Sequence, residues 1–572
     1  MRNTNCEKKI KGAEIVARCL EKIGVEVVFA YPGGQTIELH QAMKDAKFHV
    51  VLPRHEQGGA FAADGYARIS GKVGCCMATS GPGATNLITG IADAYMDSIP
   101  VVFITGQVSS SFIGKNAFQE TDIIGVTRPL VKHSFLVLDV DDLPRIMFEA
   151  FKLAGSGRPG PVVVDIPKNV QQAKTVPVYP EWDEVVVPNT STPQICTQDM
   201  EAIRKAIARS KAPCIYAGGG IVSAGASEEL RKFARGWNIP VAVTLMGLGA
   251  FPEDDPLSLR WPGMHGTYYA NAALNTCDLL LAFGARFDDR VTGNVQEFAK
   301  DAFIIHVDID FSEINKNKHA DLGIEADIKD VLHELNKNPI RGDYKDWFAR
   351  IAEWKKKYPF KYTPARSGQP PKPQYVIETL YKLTKGEAVI VPGVGQHQMW
   401  AAQFYRFKRP RQFLTSGGLG SMGFGLPAAM GAKIACPEKL VVNIDGDGSF
   451  QMNIQELGTL FAENIPVKMI ILNNQHLGMV AQWEDRFYGS NHCNTVMTNP
   501  ADGKSYYPDF VTIAKGYNIP GRTIFKREEV EDAVREMLEA DGPFLLDCHT
   551  GYQEHVLPMI PPGCSYKDIL TE

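Results

Sequence analysis

The apolar positions of this chain gather in short unbroken runs, rich in β-branched residues and closed by glycine or proline. Lys439-Leu440-Val441-Val442-Asn443-Ile444-Asp445 and Val467-Lys468-Met469-Ile470-Ile471-Leu472 are two of them. Runs of this length read as strands buried on both faces, as in parallel sheets. Between them, Asn453 to Glu463 carries apolar residues at helical spacing. Strand, helix and strand in that order form a right-handed crossover, which brings both strand C-termini to one edge. Nearer the N-terminus the order recurs. A strand from Gly74 to Ser80 leads to the turn Gly81-Pro82-Gly83, a helix from Ala84 to Met96, the break Ile99-Pro100 and a strand from Val101 to Thr105. The later unit has Gly446-Asp447-Gly448 at the turn and Ile465-Pro466 at the break. Two related α/β units are the simplest account of this self-similarity. Pro82 stands in one where Asp447 stands in the other.

A third set of elements lies between these units. The strand Cys214 to Ala217 runs into Gly218-Gly219-Gly220, followed by a helix from Ser227 to Trp237. Strands follow at Val241 to Thr244, Asp278 to Phe283 and Phe303 to Val307, a doubly wound pattern. Two proline-rich stretches without periodicity, Gln171 to Thr192 and Tyr358 to Pro373, read as linkers. The expected architecture is α/β, with three doubly wound parallel-sheet domains. They cover residues 1–175, 190–345 and 370–552, with a tail over 553–572.

Composition narrows the class. At 572 residues the chain is too long for a single core. Its 44% hydrophobic and 22% charged residues are ordinary globular values. A net charge of −5 gives no basic footprint for nucleic acid. No apolar run approaches a bilayer span, so no membrane partner is expected. Met1 to Lys11 is polar, without the apolar stretch of a secretory signal or a long Ser/Arg-rich leader. The 11 cysteines are scattered without a Cys-x-x-Cys, and read as reduced thiols of a cytoplasmic protein.

Candidate chemistry collects at predicted strand ends. Asp447 and, one crossover later, Asn473-Asn474 emerge side by side, where open α/β sheets bind ligands. One carboxylate and one amide oxygen suit Mg²⁺ and leave positions for water and phosphate oxygens. The plainer alternative is an ordinary Asp-Gly turn. Upstream, the strand Phe48 to Leu52 leads through Pro53-Arg54-His55-Glu56-Gln57-Gly58-Gly59 into a small-residue helix from Ala60 to Arg68. Glu56 at that junction is at least a favourable helix N-terminal acid. In the middle segment, Gly284-Ala285-Arg286-Phe287-Asp288-Asp289-Arg290-Val291 crowds charge around a strand end. Arginines there bind a diphosphate bidentately, and Asp308, ending the next strand, suits ribose hydroxyls. A surface salt-bridge cluster is the alternative.

The Gly-Asp-Gly turn with its Asn pair resembles the motif by which thiamine-diphosphate enzymes hold Mg²⁺ and the cofactor diphosphate. The resemblance implies three metal ligands: Asp447, Asn474 and the backbone carbonyl of His476. It also gives Glu56 a role, as the acid on the pyrimidine ring nitrogen that shuttles the activating proton.

Longer strings extend the resemblance over nearly the whole chain, from about Gly12 to Ile569. They include Tyr31-Pro32-Gly33-Gly34, Ala117-Phe118-Gln119-Glu120, Gly157-Arg158-Pro159-Gly160-Pro161, Arg286 to Arg290, Gly395 to Trp400, Gln482 to Tyr488 and Gln553 to Pro558. Together they are similar to the acetohydroxyacid (acetolactate) synthase family, in its biosynthetic, FAD-containing catalytic subunit. The resemblance implies decarboxylation of pyruvate and ligation to a second 2-keto acid, pyruvate or 2-ketobutyrate. The cofactors implied are thiamine diphosphate, Mg²⁺ and FAD. The partners implied are a second copy of the chain, as homodimer or tetramer, and a small regulatory subunit.

By position, Glu56 would activate the cofactor and Met422 would prop it in a bent shape. Val394, Gly395, Gln396, His397, Gly420, Gly448, Ser449, Gly478 and Met479 would line thiamine diphosphate. Gly34, Gln119 and Lys168 would line the substrate channel, and Trp483 would select the second substrate. FAD would be held by Arg158, Gly218, Gly219, Gly220, Thr244, Leu245, Met264 and His265. Gly284, Ala285, Arg286, Asp288, Arg290, Val291, Asp308, Ile309, Asp327 and Ile328 would complete that site. Gln35, Ser109, Lys115, Asn116 and Pro562 depart from the commonest family pattern around the channel mouth. A related thiamine-diphosphate/FAD enzyme, pyruvate oxidase, is the alternative, and the Trp483 string argues against it.

Overall fold

The computed structural model describes residues 8–188, 195–499 and 507–571. The first residues of the Met1 to Lys11 segment and the end of the Gln171 to Thr192 linker lie outside them. Three parallel sheets carry the fold. The first has six strands in the order His49–Val51, Val27–Ala30, Gly74–Ala78, Val101–Gln107, Val162–Pro167, His133–Leu136. The second has five: Val241–Val243, Pro213–Ala217, Leu279–Phe283, Phe303–Asp308, Leu322–Glu325. The third runs Val389–Pro392, Val441–Gly446, Lys468–Asn473, Phe544–His549, Gly521–Ile524.

Alternation along single strands shows why the apolar runs are unbroken. In the third sheet Val441, Met469, Ile471 and Leu545 join one core with Phe29, Phe61 and Phe103 of the first sheet's unit. Their neighbours Val442, Ile444, Ile470 and Leu546 point the other way, into a core shared with the middle sheet. Successive side chains of a strand face opposite sides, so a sheet covered on both faces needs apolar residues at every position. The first sheet repeats the arrangement. Phe29, Cys76 and Phe103 face the third sheet's unit, while Val28, Cys75 and Val102 face an outer core.

Helix Glu56–Ser70 lies against helix Gly425–Ala435 at the junction of the first and third units. Both present small residues there. A Cβ added to Gly65 would sit 2.2 Å from the Ala428 carbonyl oxygen, and one on Gly431 1.8 Å from that of Ala62. Phe61 and Phe424 close the end of the contact edge to face, with centroids 5.4 Å apart. Beside it, a buried Arg68 guanidinium meets three carboxylates, Asp64, Asp93 and Asp97. Asp97 accepts from the Gly417 and Gly418 amides at 2.9 and 2.7 Å, and Asp93 accepts from the Ser416 and Ser421 hydroxyls. Burial, with Asp97 and Asp64 close by, pushes Asp93 up to about 8.

Several expected boundaries shift, each for a local reason. The single helix from Ala84 to Met96 is two, Pro82–Asn86 and Ile88–Asp97. The first begins at Pro82, because proline's missing N–H is not needed in an opening turn. The helix from Asn453 to Glu463 becomes a 3₁₀ turn, Ile454–Glu456, and a helix, Leu457–Ala462, preceded by Asp447–Gln451. Asn453 stands before the turn, its amide committed to the Gly423 carbonyl at 2.8 Å. The helix from Ala60 starts earlier, at Glu56. The strand from Asp278 starts at Leu279, since the Asp278 carboxylate accepts from the Lys211 and Ala212 amides. The linker from Gln171 opens on structured chain: Lys174–Thr175 pairs antiparallel with Ile10–Lys11. Among the described residues no helix is long and apolar enough to cross a membrane.

Replacing Gly431 with alanine should force these two helices apart. We expect about 1–3 kcal/mol of destabilisation, the usual cost of overpacking, read as a lowered midpoint in urea denaturation. An unchanged midpoint would show that the crossing gives way freely.

Candidate active site

Asp447 opens helix Asp447–Gln451 directly after strand Val441–Gly446, and Asn474 follows the neighbouring strand Lys468–Asn473. The pairing is parallel with Gly446 opposite Leu472, so the two side chains leave adjacent strand ends. Asp447 is 2% exposed. Its Oδ1 accepts from the Gly448 amide at 3.1 Å, while the buried Oδ2 has no partner among the described residues. Burial pushes this carboxyl up to about 7. Asn474 gives its amide nitrogen to Gln396 Oε1 at 3.1 Å, and its Oδ1 accepts from the His476 amide at 3.0 Å.

A buried carboxylate oxygen left unpaired is costly unless a cation or donor meets it. With the amide oxygen and a backbone carbonyl it makes a set of hard oxygen donors, which suits Mg²⁺. Among the described residues no group of three or more His, Cys, Asp or Glu could hold a metal. The Asp447 set contains one carboxylate and so falls outside that pattern.

Segments far apart in sequence close around this point. A Cβ on Gly393 would sit 2.0 Å from Asp445 Oδ1, and one on Gly446 2.7 Å from the His397 ring. Ser449 Oγ accepts from the Gly423 amide at 3.1 Å and from the Val394 amide at 3.4 Å. Met422 Cε and Leu477 flank Gly448, and Gln396 Oε1 lies against Gly478. The structure therefore brings Val394 to His397, Met422, Asp447 to Ser449, Asn474 and Gly478 into one cradle. Glycines in it allow a diphosphate to approach the backbone.

A cavity of about 1560 Å³ opens beside the cradle. Every residue that the resemblance assigns to FAD lines it, from Arg158 to Ile328. At its floor two strand-end loops cross closely: a Cβ on Gly218 would sit 2.0 Å from the Gly284 carbonyl oxygen, and Gly284 itself has φ +56°. Asp288 and Asp327 cap short helices by accepting from the Arg290 and Lys329 amides. Burial pushes Asp308 up to about 6 and His265 down to about 4. Arg158 reaches the cavity wall but is held by Asp310 at 3.0 Å and Glu313 at 2.5 Å. Val394, Gly395, Gly420, Met479 and Trp483 also line the cavity, so it runs continuously toward the cradle. Trp483 is half-buried and meets Phe487 edge to face. The volume exceeds the few hundred to about 1,000 Å³ of a typical ligand pocket and fits a dinucleotide with room beyond it.

The remaining predicted residues share the carboxyl edge of the first sheet. Glu56 is the first residue of its helix, and its Oε2 accepts from Asn86 Nδ2 at 2.9 Å. Lys168 Nζ donates to the Gly34 carbonyl at 3.3 Å. Gln119 has φ 60° and covers Gly81, where a Cβ would lie 2.8 Å from its carbonyl oxygen. None of these four lines the large cavity. Sequence reasoning missed Gln482, which accepts from Gln396 Nε2 at 2.9 Å, and the buried groups Asn453, Glu456 and Asp93. Gln482, Glu456 and Asp93 lie in helical segments and Asn453 in the turn before one, with nothing local to mark them.

Two diphosphate-scale sites at the carboxyl edges of parallel sheets define a cofactor-dependent α/β enzyme. Three family models match in chain order: the thiamine pyrophosphate enzyme N-terminal TPP binding domain over residues 10–126, the central domain over 200–335 and the C-terminal TPP binding domain over 393–548. Acetolactate synthase 1, chloroplastic, of Zea mays is 54% identical over 98% of this chain and 89% of its own length. Its counterpart in Oryza sativa subsp. japonica is 54% identical over 98% and 88%. Acetolactate synthase, chloroplastic, of Arabidopsis thaliana is 52% identical over 98% and 84%. The chain belongs to the acetolactate synthase family of thiamine pyrophosphate enzymes.

Replacing Asp447 with alanine should weaken Mg²⁺ and thiamine diphosphate together, by at least about tenfold, because one oxygen sphere serves both. Titration of apoprotein with cofactor at several Mg²⁺ levels measures this. Unchanged apparent affinity would move the metal elsewhere.

Proposed function

We propose that this chain is the catalytic subunit of an acetolactate synthase. It decarboxylates pyruvate and joins the two-carbon unit to a second 2-keto acid. Pyruvate as acceptor gives 2-acetolactate, and 2-ketobutyrate gives 2-aceto-2-hydroxybutyrate. The observation that carries this reading is the buried, unpartnered Asp447 Oδ2 in a glycine-walled cradle with Asn474. Thiamine diphosphate, held there through Mg²⁺, would supply the nucleophilic carbon. FAD would occupy the adjoining cavity without net redox turnover.

The chain's own residues do the rest. Glu56 would hold and return the proton of the cofactor's pyrimidine ring nitrogen at Oε1, while Oε2 accepts from Asn86 Nδ2. Met422, whose Cε lies against Gly448, would be the side chain that supports the cofactor's conformation. The Lys168 ammonium, at a strand end beside Gly34, attracts the substrate carboxylate. Trp483 packs on the acceptor's alkyl end, and the enclosing side chains keep water from the reacting carbon.

A homodimer at least, or a tetramer, would bring the Glu56 edge of one copy to the Asp447 cradle of another. Phe118, 86% exposed on the loop carrying Gln119, suits burial in such a contact. A small regulatory subunit is a further proposed partner. A cytoplasmic location is proposed with it, in keeping with ten free cysteines among the described residues. A product assay on purified protein, with pyruvate alone and then with 2-ketobutyrate added, tests the reaction. Acetate in place of acetolactate would point to an oxidase.

Glu56→Gln should lower turnover by at least about 10²–10⁴-fold, the range for an acid–base group, while the folded protein still binds cofactor. Near-normal turnover would remove Glu56 from the mechanism. Trp483→Leu should lose most of the preference for 2-ketobutyrate over pyruvate as acceptor. One methylene in an apolar pocket discriminates about 10- to 200-fold. Competition between the two acceptors at fixed pyruvate measures it, and an unaltered product ratio would place selectivity elsewhere.

A further inference from the structure

Glu456 ends the 3₁₀ turn that follows helix Asp447–Gln451, and it is fully buried. Its partners come mostly from the other end of the chain. The Arg54 amide donates to both carboxylate oxygens at 3.0 and 3.1 Å, and the His55 amide donates to Oε1 at 3.1 Å. Thr459 Oγ1 donates to Oε2 at 2.7 Å. Arg54 and His55 are the two residues before Glu56. A side chain from the third sheet's unit thus takes the place that a local acid fills in a capping box. Gly58 makes the approach possible, since a Cβ there would lie 2.3 Å from Glu456 Oε1. A second tie runs alongside: Asn453 Nδ2 donates to Gln57 Oε1 at 3.2 Å and to the Gly423 carbonyl at 2.8 Å, next to Met422.

Burying a carboxylate at a domain junction is costly, and apolar packing would join the domains as well. What the carboxylate adds is direction. Every one of its partners is a donor, and two of them are the backbone amides leading into Glu56. We propose that Glu456 is a positioning residue that fixes the Glu56 carboxyl by clamping the backbone of Arg54 and His55 to the metal-binding unit of the same chain. The proposal rests on the reading of Glu56 as the activating acid.

The test uses Glu456→Gln, which keeps one oxygen acceptor and turns an amide nitrogen toward the donors. A misplacement of about 1 Å costs on the order of 10²-fold, so kcat should fall about 10- to 100-fold. Exchange of the cofactor C2 proton in deuterated water, followed by acid quench, should slow by the same factor. The KM for pyruvate and the thiamine diphosphate affinity, from fluorescence titration of apoprotein with Mg²⁺, should stay within about threefold. Amide hydrogen exchange over residues 52–58 of the apoprotein should quicken at least about tenfold. Gly58→Ala should be harmful in the wild type, where its Cβ meets the Glu456 carboxylate, and should add little to the loss caused by Glu456→Ala. If Glu456→Gln fails to fold, Thr459→Val removes one donor and should give a smaller loss with the same split.

Wild-type kcat and amide exchange in the variant would overturn the proposal. So would a loss of cofactor affinity matching the loss of kcat, which would put Glu456 in the cradle itself. A wild-type holoenzyme that fails to exchange the C2 proton would defeat the reading of Glu56, and this proposal with it.

Discussion

The close crossing of helices Glu56–Ser70 and Gly425–Ala435 sets the rest of the geometry. Backbone meets backbone there, with no side chain at Gly65 or Gly431 to hold the helices apart. The first helix begins at Glu56 and the second follows Met422, so the spacing of the crossing sets how two chemically different sheet edges lie in one chain. Around this dry contact the protein places charge rather than more carbon. Arg68 with its three carboxylates, and Glu456 with its amides, are directional contacts that an apolar seam would lack. Apolar packing brings the units together, and the hydrogen-bonded ions select one alignment among those that packing allows.

The same economy of space appears at the large cavity. Gly218, Gly220 and Gly284 let two loops touch, so that the carboxyl ends of their strands open onto one continuous hollow. The hollow reaches the Asp447 cradle through Val394, Gly395 and Gly420. A dinucleotide seated there would help to shape the wall on which Trp483 and Met479 sit.

Much of this was legible in the sequence, for a physical reason. Strands covered on both faces must be apolar throughout, so Val441–Gly446 and Lys468–Asn473 stand out without any partner in view. Asp447 and Asn474 were legible because their chemistry needs a fixed offset within one crossover. The residues assigned to FAD came only through strings resembling a family, and one cavity collects them. Helix limits were less legible: Pro82 opens a helix that the pattern starts later, and the helix that the pattern starts at Asn453 opens as a 3₁₀ turn before Leu457. The buried ionic groups were not legible at all. Asp93, Glu456 and Arg68 sit in helical segments where a charge ordinarily faces water; Ser416 meets Asp93, Arg54 meets Glu456 and Phe424 lies against Arg68, each from hundreds of residues away.

The two related units also carry a history. Where the later unit has Asp447, the earlier one has Pro82 in the first turn of its helix, without an amide hydrogen or a carboxylate. The strand that corresponds to Lys468–Asn473 ends in Gln107, whose amide is already committed to Asp165 at 3.0 Å and to the Thr121 carbonyl at 3.0 Å. An oxygen pair like Asp447 and Asn474 in the earlier unit would need an acid at Pro82 and an amide oxygen at Val108, the apolar residue after Gln107, and neither change is useful alone. If a common ancestor gave rise to both units, the loss on one side is a ratchet. Lineages descending from it can vary the loops of either edge, but the two halves can no longer exchange roles.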